Sequence, residues 1–324
     1  MRVTVVRPAE LGAGEVKQWR GFQDSYPAGV HPNYSLTFVR AACRADENGR
    51  VAVVEDSGGI RAFIPYTRGG DGVATTLGGG QTGVDGLISS NEPIDLRQVV
   101  RGARLRGWRF SHAPAGQAAV DPYRYQGDYH AQEVRFADLR GDYDVYLQSL
   151  PKRSKRRRAL EREVGEVSLE WNSGDPANRD LLLKWKSAQF EYVRKWLSDP
   201  LSRVMVEELA ASEDEDCSGV TSVLYAGSKP VAISLNLLAG NVFSGWIIGY
   251  DPQYSRFSPG TVMWLAQIED AATRGVEIVD FGYGDDQQKR YFGNGTYRVD
   301  GGAIWASPLE SAARSLYRKI RFRD

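Results

Sequence analysis

The stretch of residues 242–285 constrains the fold most, because it has the pattern of a β-strand, a capped helix and a second β-strand. Apolar residues recur at helical spacing through 262–272, which predicts the helix. Its expected start is Ser258-Pro259, a capping residue followed by a proline suited to the first turn. Its expected end is Gly275. Strands joined by such a helix predict an α/β fold.

The start of this helix is predicted to bind an anion. The first N–H groups of a helix have no partner within the helix and favour negative charge. Gly260 leaves the backbone open to a ligand, and Arg256 is close in sequence. The run 281–285 after the second strand is too rich in glycine to continue that strand. We infer that the ligand at this place is the pyrophosphate of a coenzyme.

Length and charge narrow the class of protein. The chain has 324 residues, too many for one typical compact core, so two domains are expected. The formal net charge is zero, so no global field attracts the chain to nucleic acid. The first residues have the pattern of a strand and not of a signal peptide, and no apolar run approaches the ~20 residues of a membrane span. A cytoplasmic protein is therefore expected.

The cysteines and histidines favour neither a disulfide framework nor a metal centre. Cys43 and Cys217 are the only cysteines and lie far apart. An acidic run precedes Cys217 and would raise the pKa of its thiol, so a thiolate nucleophile is not expected there. His31, His112 and His130 lack metal-ligand spacing, so no metal is expected.

The two halves of the chain repeat a strand–turn–strand pattern. Residues 51–66 form the first predicted hairpin and residues 220–238 the second, and a third predicted strand follows each of them. The shared order predicts two related α/β domains, residues 1–141 and residues 142–324, with the coenzyme site in the second.

Two basic segments have more than one interpretation. Residues 152–163 form a predicted basic helix, which is either a solvated face or a clamp for a phosphorylated ligand that includes Arg156. Residues 308–323 form a predicted amphipathic helix with a basic face. Such a helix docks on its own domain or contacts an anionic membrane surface, here the inner membrane face.

Several of these motifs together resemble the CelD/FemAB-like branch of the GNAT acyltransferase superfamily. The resemblance covers essentially the whole chain and is most specific from Tyr250 to Phe292. The motifs that carry it are Ser258–Thr261, the block Asp280–Asp285, Lys289, Phe292 and the basic helix Ser154–Glu163. Gln288 departs from the pattern, because the family more often has tyrosine before the lysine. The loop from Arg256 to Thr261 is a degenerate form of the family's phosphate loop.

The resemblance implies two tandem GNAT-like domains with mixed α/β sheets and a direct acyl transfer. An amine acceptor (an amino sugar, amino acid or amino lipid) would attack the thioester of acyl-CoA, which is a co-substrate, in a polysaccharide or lipid biosynthetic context. Such a reaction gains from holding both reactants together, removing the amine proton and protonating the departing thiolate. The residues expected at the coenzyme are Arg256, Ser258, Gly260, Thr261 and Lys289. Lys289 and Arg290 could instead bind an acidic substrate or form a pair on the surface.

The candidate catalytic residues are carboxylates and phenols near the predicted strand ends. Asp251, Asp280 and Asp285 are candidate bases. Each has another interpretation: Asp251 could only start a turn, Asp280 could anchor a buried hydrogen bond, and Asp285 could cap the next helix. Tyr283 and Tyr291 are candidate acids, although tyrosines more often pack with a solvated hydroxyl.

Contacts to the other substrate groups are expected in both halves. The loop 78–83 only loosely resembles a phosphate loop, so Gln81 and Asp85 are expected to contact the acceptor instead. Trp246 is expected beside the acyl chain, or else in the core.

Two other functions remain open from the sequence. The first is a FemAB-like transferase that takes its acyl group from aminoacyl-tRNA, with residues 152–158 on the RNA. The second is a non-catalytic relative that binds a sugar-phosphate or lipid precursor. The length of the acyl chain, the identity of the acceptor and the oligomeric state are left open.

Overall fold

The computed structural model describes residues 1–24, 31–79, 82–89, 93–115, 130–141, 143–150, 154–284 and 286–307. The chain divides into two compact units. Unit 1 contains residues 1–134 and the chain from Tyr297 onward, and unit 2 contains Arg135–Thr296. Gln81, Asp285 and the predicted helix 308–323 lie outside the described residues.

Unit 1 is an α/β unit. Its helices and strands have the following bounds: β1 Arg2–Val6, α1 Ala13–Asp24, α2 Leu36–Arg44, β2 Gly49–Asp56, β3 Gly59–Arg68, β4 Val73–Thr75, β5 Ile88–Ser89, α3 Leu96–Gly102, β6 Gly107–Pro114 and, at the end of the described chain, β14 Gly295–Trp305. The strand order is β1-β2-β3-β4-β6-β14, with β5 on β3. The pair β4–β6 is parallel, whereas β14 is antiparallel to β6. A buried cluster between this sheet and α3 includes Trp108, Phe110 and Ile304.

The return of β14 to β6 explains why the units differ from the sequence-based division at 141/142. This pairing joins Val299 to Pro114 and Trp305 to Gly107. Contacts between segments so distant in sequence leave no local pattern, so the sequence places the end of the chain in the second domain.

Unit 2 has a mixed sheet with helices on both faces. Its elements have the following bounds: β7 His130–Asp138 (of which residues 135–138 belong to this unit), α4 Tyr143–Ser149, α5 Ser154–Glu163, β8 Val167–Glu170, α6 Pro176–Gln189, α7 Glu191–Ser198, α8 Pro200–Ala210, β9 Glu213–Asp214, β10 Cys217–Ala226, β11 Lys229–Ala239, β12 Val242–Tyr250, α9 Pro259–Thr273, β13 Ile278–Tyr283 and α10 Gln287–Phe292. The strand order is β7-β13-β12-β11-β10-β8, with β9 on β10.

Strands β10 and β11 are buried on both faces, because consecutive residues of each strand are buried. Leu224 and Ala232 pack in a cluster with residues of α5 and α9. The adjacent residues Val223 and Ile233 pack in another cluster with α6, α7 and α8. Because successive side chains of a strand point to opposite faces, α5 and α9 cover one face of the sheet and α6–α8 cover the other.

The elements expected from the sequence in unit 2 are present. The hairpin β10–β11, the strand β12 and the helix α9 lie where the turn residues and the apolar spacing predict them. Gly275, with φ of +78°, ends α9 because this conformation is accessible to glycine at little cost. Helix α9 thereby connects β12 to β13, and the two strands are parallel. None of the described helices is both long and apolar enough to cross a bilayer.

Candidate active site

Strands β12 and β13 are paired only at their beginnings. Their parallel ladder joins Val242–Ser244 with Ile278–Asp280 and extends no further within the described chain. Just beyond it, the register between β11 and β12 shifts, so that Trp246 bulges out of the ladder. An extra residue of this kind bends a strand and increases its twist. The backbone of β12 after Ser244 is therefore without β13 as a hydrogen-bonding neighbour.

The first turn of α9 leaves one backbone donor open. Ser258 adopts the left-handed conformation, with φ of +52° and ψ of +62°. Its carbonyl accepts from the backbone N–H groups of Thr261 and Val262, at 2.9 and 3.3 Å. Pro259 has no N–H, and Gly260 N makes no hydrogen bond to any other described residue. Ser258 occupies the N-cap position as predicted, but its side chain makes no capping bond, because this conformation differs from the extended one of an ordinary cap.

A cavity of about 900 Å³ lies at this helix start. Its size is within the range of small-molecule sites. The residues that line it come from α5, α9, α10 and the turns before α9 and α10: Lys155, Arg156, Ser258, Thr261, Val262, Leu265, Asp286, Gln287, Gln288, Tyr291 and Phe292. The structure therefore brings together four of the residues predicted from the sequence, namely Ser258, Thr261, Arg156 and Tyr291.

The basic helix α5 supplies the positive charge of the cavity. Arg156 donates from Nη1 to the hydroxyl of Thr261 at 3.0 Å. In the described chain neither Lys155 nor Arg156 forms an ion pair. Arg157 differs, because it pairs with Glu161 at 3.0 Å and with Glu269 at 3.2 Å. One part of this helix thus carries unpaired cations at the cavity, and another part is bound to acidic side chains.

Arg256, the arginine predicted to contact the coenzyme, has other partners. Its Nη2 lies 2.7 Å from Glu163 Oε2, and its guanidinium lies 4.6 Å from the centre of the Phe257 ring. The side chain is largely exposed and is not among the residues that line the cavity. The geometry thus assigns Arg256 to the contact between α5 and the loop before α9.

Gln288 contributes a donor that the sequence did not reveal. Its Nε2 atom is buried and has no hydrogen-bond partner among the described residues. A Cβ placed on Gly260 would lie 3.7 Å from this nitrogen, so the amide lies beside the first turn of α9. A buried donor without a partner is costly, and a ligand oxygen in the cavity would remove that cost. The departure from the family's tyrosine was visible in the sequence, but its position against Gly260 was not.

Residues 151–291 match the family model described as an acetyltransferase (GNAT) domain. These residues are a GNAT acetyltransferase domain. The match confirms the resemblance inferred from the sequence and the class of enzyme, an acyltransferase. The curated proteins contain no match to the chain.

Several solved structures share the fold of this chain over nearly its whole length. FemX aligns with a TM-score of 0.59 at 10% identity over 97% of this chain and all of that chain. The C-terminal domain of a lysylphosphatidylglycerol synthetase from Agrobacterium fabrum, described as putative, aligns with 0.55 at 13% identity over 95% and 96%. A tandem GNAT protein from the clavulanic acid biosynthesis pathway aligns with 0.52 at 13% identity over 95% and 99%. At these identities the likeness concerns the fold, and it confirms the predicted tandem GNAT architecture.

Lys289 of the GNAT domain is directed to the end of β13. Its ammonium donates to the carbonyls of Gly282, at 3.2 Å, and of Tyr283. Burial lowers the pKa of Lys289, although the carboxylates of Asp286 and Asp280 act in the opposite direction. These bonds fix the end of β13, where Gly282 has φ of +72°. The phosphate contact expected for Lys289 stays a prediction.

The candidate bases of the GNAT domain also have structural partners. Asp280 is only 2% exposed and accepts from Gly282 N at 2.6 Å. Asp251 caps a short 3-10 helix by accepting from Gln253 N at 2.9 Å. Asp286 accepts from Lys289 N at 2.9 Å and is the N-cap of α10, a role that the sequence gave to Asp285.

The two candidate acids lie in different surroundings. Tyr291 lines the cavity, and its ring lies 4.8 Å from that of Phe292. Tyr283 is 37% exposed at the end of β13, and burial together with nearby Tyr192 raises the pKa of its phenol. Of the two, only Tyr291 lies at the start of α9.

Trp246, predicted beside the acyl chain, and Asp85, predicted at the acceptor, belong to different units. Trp246 packs edge-to-face on Trp196 of α7, with ring centres 6.3 Å apart. Asp85 belongs to unit 1, is 8% exposed, and accepts from the backbone N–H groups of Ser111 and His112 at 2.9 and 2.8 Å and from the hydroxyl of Thr76. The carboxylate of Asp85 thus ties its loop to β6.

The described residues contain no group of three or more His, Cys, Asp or Glu side chains arranged to hold a metal ion.

Proposed function

We propose that the GNAT domain is an acyl-CoA-dependent N-acyltransferase that passes an acyl group directly from the CoA thioester to an amine acceptor. The observation that carries this proposal is the cavity at the start of α9. It combines the open N–H of Gly260, the unpaired cations of Lys155 and Arg156, and the unpaired amide of Gln288.

The coenzyme's phosphates would occupy the start of α9. A helix N-terminus favours anions, and charge-assisted hydrogen bonds to phosphate are stronger than neutral ones. Thr261 adds a further donor, because its oxygen accepts from Arg156 and its hydroxyl proton remains for a phosphate oxygen. Lys155 and Arg156 would balance the charge.

The gap between β12 and β13 would hold the extended arm that carries the thioester. Such an arm contains amide groups, and an open strand edge binds extended amide chains through its backbone. The backbone of β12 after Ser244 offers such an edge. The bulge at Trp246 bends β12 at the point where this open edge begins.

The chemical step would be attack of the neutral amine on the thioester carbonyl. A C–N bond forms while the C–S bond breaks, and the amine loses a proton as the thiolate gains one. Tyr291 is our candidate for the acid at the thiolate because it lines the cavity. Asp251, Asp280 and Asp285 remain the candidate bases. An amino sugar, amino acid or amino lipid is the proposed acceptor.

Calorimetric titration with CoA and acetyl-CoA tests the donor site. Removal of one charged hydrogen-bond partner of a phosphate costs about 1.5–3 kcal/mol, so Arg156→Ala should weaken binding about 10- to 100-fold. Arg162→Ala is the matched control, because Arg162 is on the same helix, is exposed and is not among the residues lining the cavity. Equal affinity of both variants, or no binding of any CoA species, would refute the proposal.

The alternative donor is an aminoacyl-tRNA, as the FemAB-like resemblance implies. The observation that favours it is the absence of ion pairs at Lys155 and Arg156 within the described chain. These two cations lie at the start of the basic helix α5, and such cations suit any phosphate backbone. This alternative would be established if the protein binds aminoacyl-tRNA with an affinity that falls steeply with salt concentration and does not bind CoA.

A further inference from the structure

The junction between α6 and α7 lies at the open ends of β12 and β13. Gln189, the last residue of α6, donates from Nε2 to the carbonyl of Tyr250 at 3.2 Å. Tyr192, in the first turn of α7, is close enough to Tyr283 to affect the pKa of its phenol. Tyr250 and Tyr283 are the last residues of β12 and β13. The junction therefore reaches both strands where they are no longer paired.

Lys186 is the lysine of this junction. It lies one helical turn before Phe190, and its Nζ is 4.7 Å from the centre of the Phe190 ring. Phe190 joins the two helices in an extended conformation and is 43% exposed. In the described chain no carboxylate lies within ion-pair distance of Lys186 Nζ. Lys195 differs, since its exposed ammonium lies 3.1 Å from Glu191.

Two effects act in opposite directions on this amine. The face of Phe190 stabilises the ammonium form, whereas removal from water destabilises it. Burial is the stronger effect and lowers the pKa of Lys186. The neutral amine is the form that attacks carbonyl carbon, so the environment of Lys186 enlarges its nucleophilic fraction relative to a lysine in water.

We propose that Lys186 is an acylation site of this protein, modified by the thioester donor itself. Lys186 Nζ attacks the thioester carbonyl, a C–N bond forms as the C–S bond breaks, and the amine proton is transferred to the departing thiolate. The products are an acylated Lys186 and a free thiol. The inference rests on the proposed function in two respects, because CoA is taken as the natural thiol of the donor and the thioester is placed in the gap between β12 and β13.

The test incubates the full-length protein with one of two thioesters and then digests it. Mass spectrometry of the peptides measures the rate at which each lysine is acetylated. Acetyl-CoA carries the nucleotide, and S-acetyl-N-acetylcysteamine is a small thioester without it. Lys184 and Lys195 are matched controls, because both are exposed lysines of the same two helices. We expect Lys186 to acquire the acetyl group on the order of tenfold faster than either control, because burial lowers its pKa and because the junction that carries it lies at the open end of β12. Phe190→Ala should slow the modification by admitting water to the amine.

The two donors separate this inference from the proposed CoA site. Faster modification by acetyl-CoA that Arg156→Ala reduces would support both. If both donors modify Lys186 at the same rate and Arg156→Ala does not change that rate, the inference is supported and the proposed CoA site is refuted. Modification of Lys186 no faster than that of Lys184 and Lys195 with either donor would overturn the inference, whatever calorimetry shows for CoA. Lys186→Met, checked for folding by its melting temperature, must lose the modified peptide.

Discussion

Gln288 and Gly260 face each other across the start of α9, so that a Cβ on Gly260 would lie 3.7 Å from the buried Gln288 Nε2. That distance is an ordinary van der Waals contact, and Gly260 has no positive φ that would require glycine. Glycine at this position is therefore not required by the backbone conformation. Its effect is to leave space beside the first turn of α9.

We predict that Gly260→Ala folds and keeps most of its CoA affinity, whereas Gly260→Val loses it. An alanine methyl fits beside Gln288, but a branched side chain fills the place in which a phosphate would contact the open N–H. Calorimetric titration of both variants measures the difference, with melting temperatures as the control for folding. Unaltered CoA binding in Gly260→Val would place the coenzyme elsewhere.

The side chain at position 288 should affect the strength of phosphate binding through its donor and its charge. Gln288→Met has nearly the same shape and removes the unpaired donor, so its free energy of unfolding should be unchanged or higher, while CoA binds several-fold more weakly. Gln288→Glu puts a negative charge at the same place and should weaken binding further, by at least about tenfold. Pantetheine, which has no phosphate, should bind all three proteins alike. A loss of pantetheine affinity in Gln288→Glu would contradict a phosphate contact.

The two tyrosines should differ in their effect on turnover. Tyr291 lines the cavity, so Tyr291→Phe is expected to lower kcat about 10²- to 10⁴-fold with little change in KM, the range for loss of an acid or base. Tyr283→Phe, the matched control at the end of β13, should change kcat little. Steady-state kinetics with acetyl-CoA and a screened amine acceptor measure both. Similar kcat values for the two variants would exclude Tyr291 as the acid.

Asp85 should prove to be a stabilising residue of unit 1. Its carboxylate accepts two backbone N–H groups and one hydroxyl while largely buried. In Asp85→Asn one oxygen becomes an NH₂ group, which cannot accept, so at least one buried backbone donor loses its partner. We expect the free energy of unfolding to fall by about 2–4 kcal/mol in urea denaturation. A fully stable variant with altered acceptor affinity would instead restore Asp85 as a substrate contact.

Much of the GNAT domain could be predicted because its signals are local. The turn residues of the hairpin β10–β11, the apolar spacing of α9 and its stop at Gly275 each depend on a few neighbouring residues, and the structure has all three. The helix start that Ser258 and Thr261 form at the cavity followed from the same local pattern, since a helix start has its donors wherever the helix lies.

The rest depends on contacts between distant segments. Arg256 was predicted at the coenzyme because it is five residues from Thr261, but Glu163 of α5 lies beside it in the fold. The sequence also does not show which face of α10 is directed inward. The ammonium of Lys289 binds two carbonyls at the end of β13, and its expected phosphate contact stays a prediction. Gln288, noted only as a departure from the family, acquires a role once Gly260 is seen opposite it.

The cysteines should be unreactive in the folded protein. Burial, with a smaller contribution from Asp46, raises the pKa of the Cys43 thiol to about 12, and Cys217 is fully buried at the start of β10. At pH 8 the thiolate fraction of Cys43 would be on the order of 10⁻⁴, compared with about a quarter for a free cysteine. We predict that Ellman's reagent labels neither thiol at pH 8 in native protein and labels both after addition of guanidinium chloride. Because the pKa is raised, labelling of the native protein at pH 10 should remain slow as well. Rapid labelling of one thiol at pH 8 without denaturant would show that its unit opens locally, and Cys43→Ser would tell which unit it is.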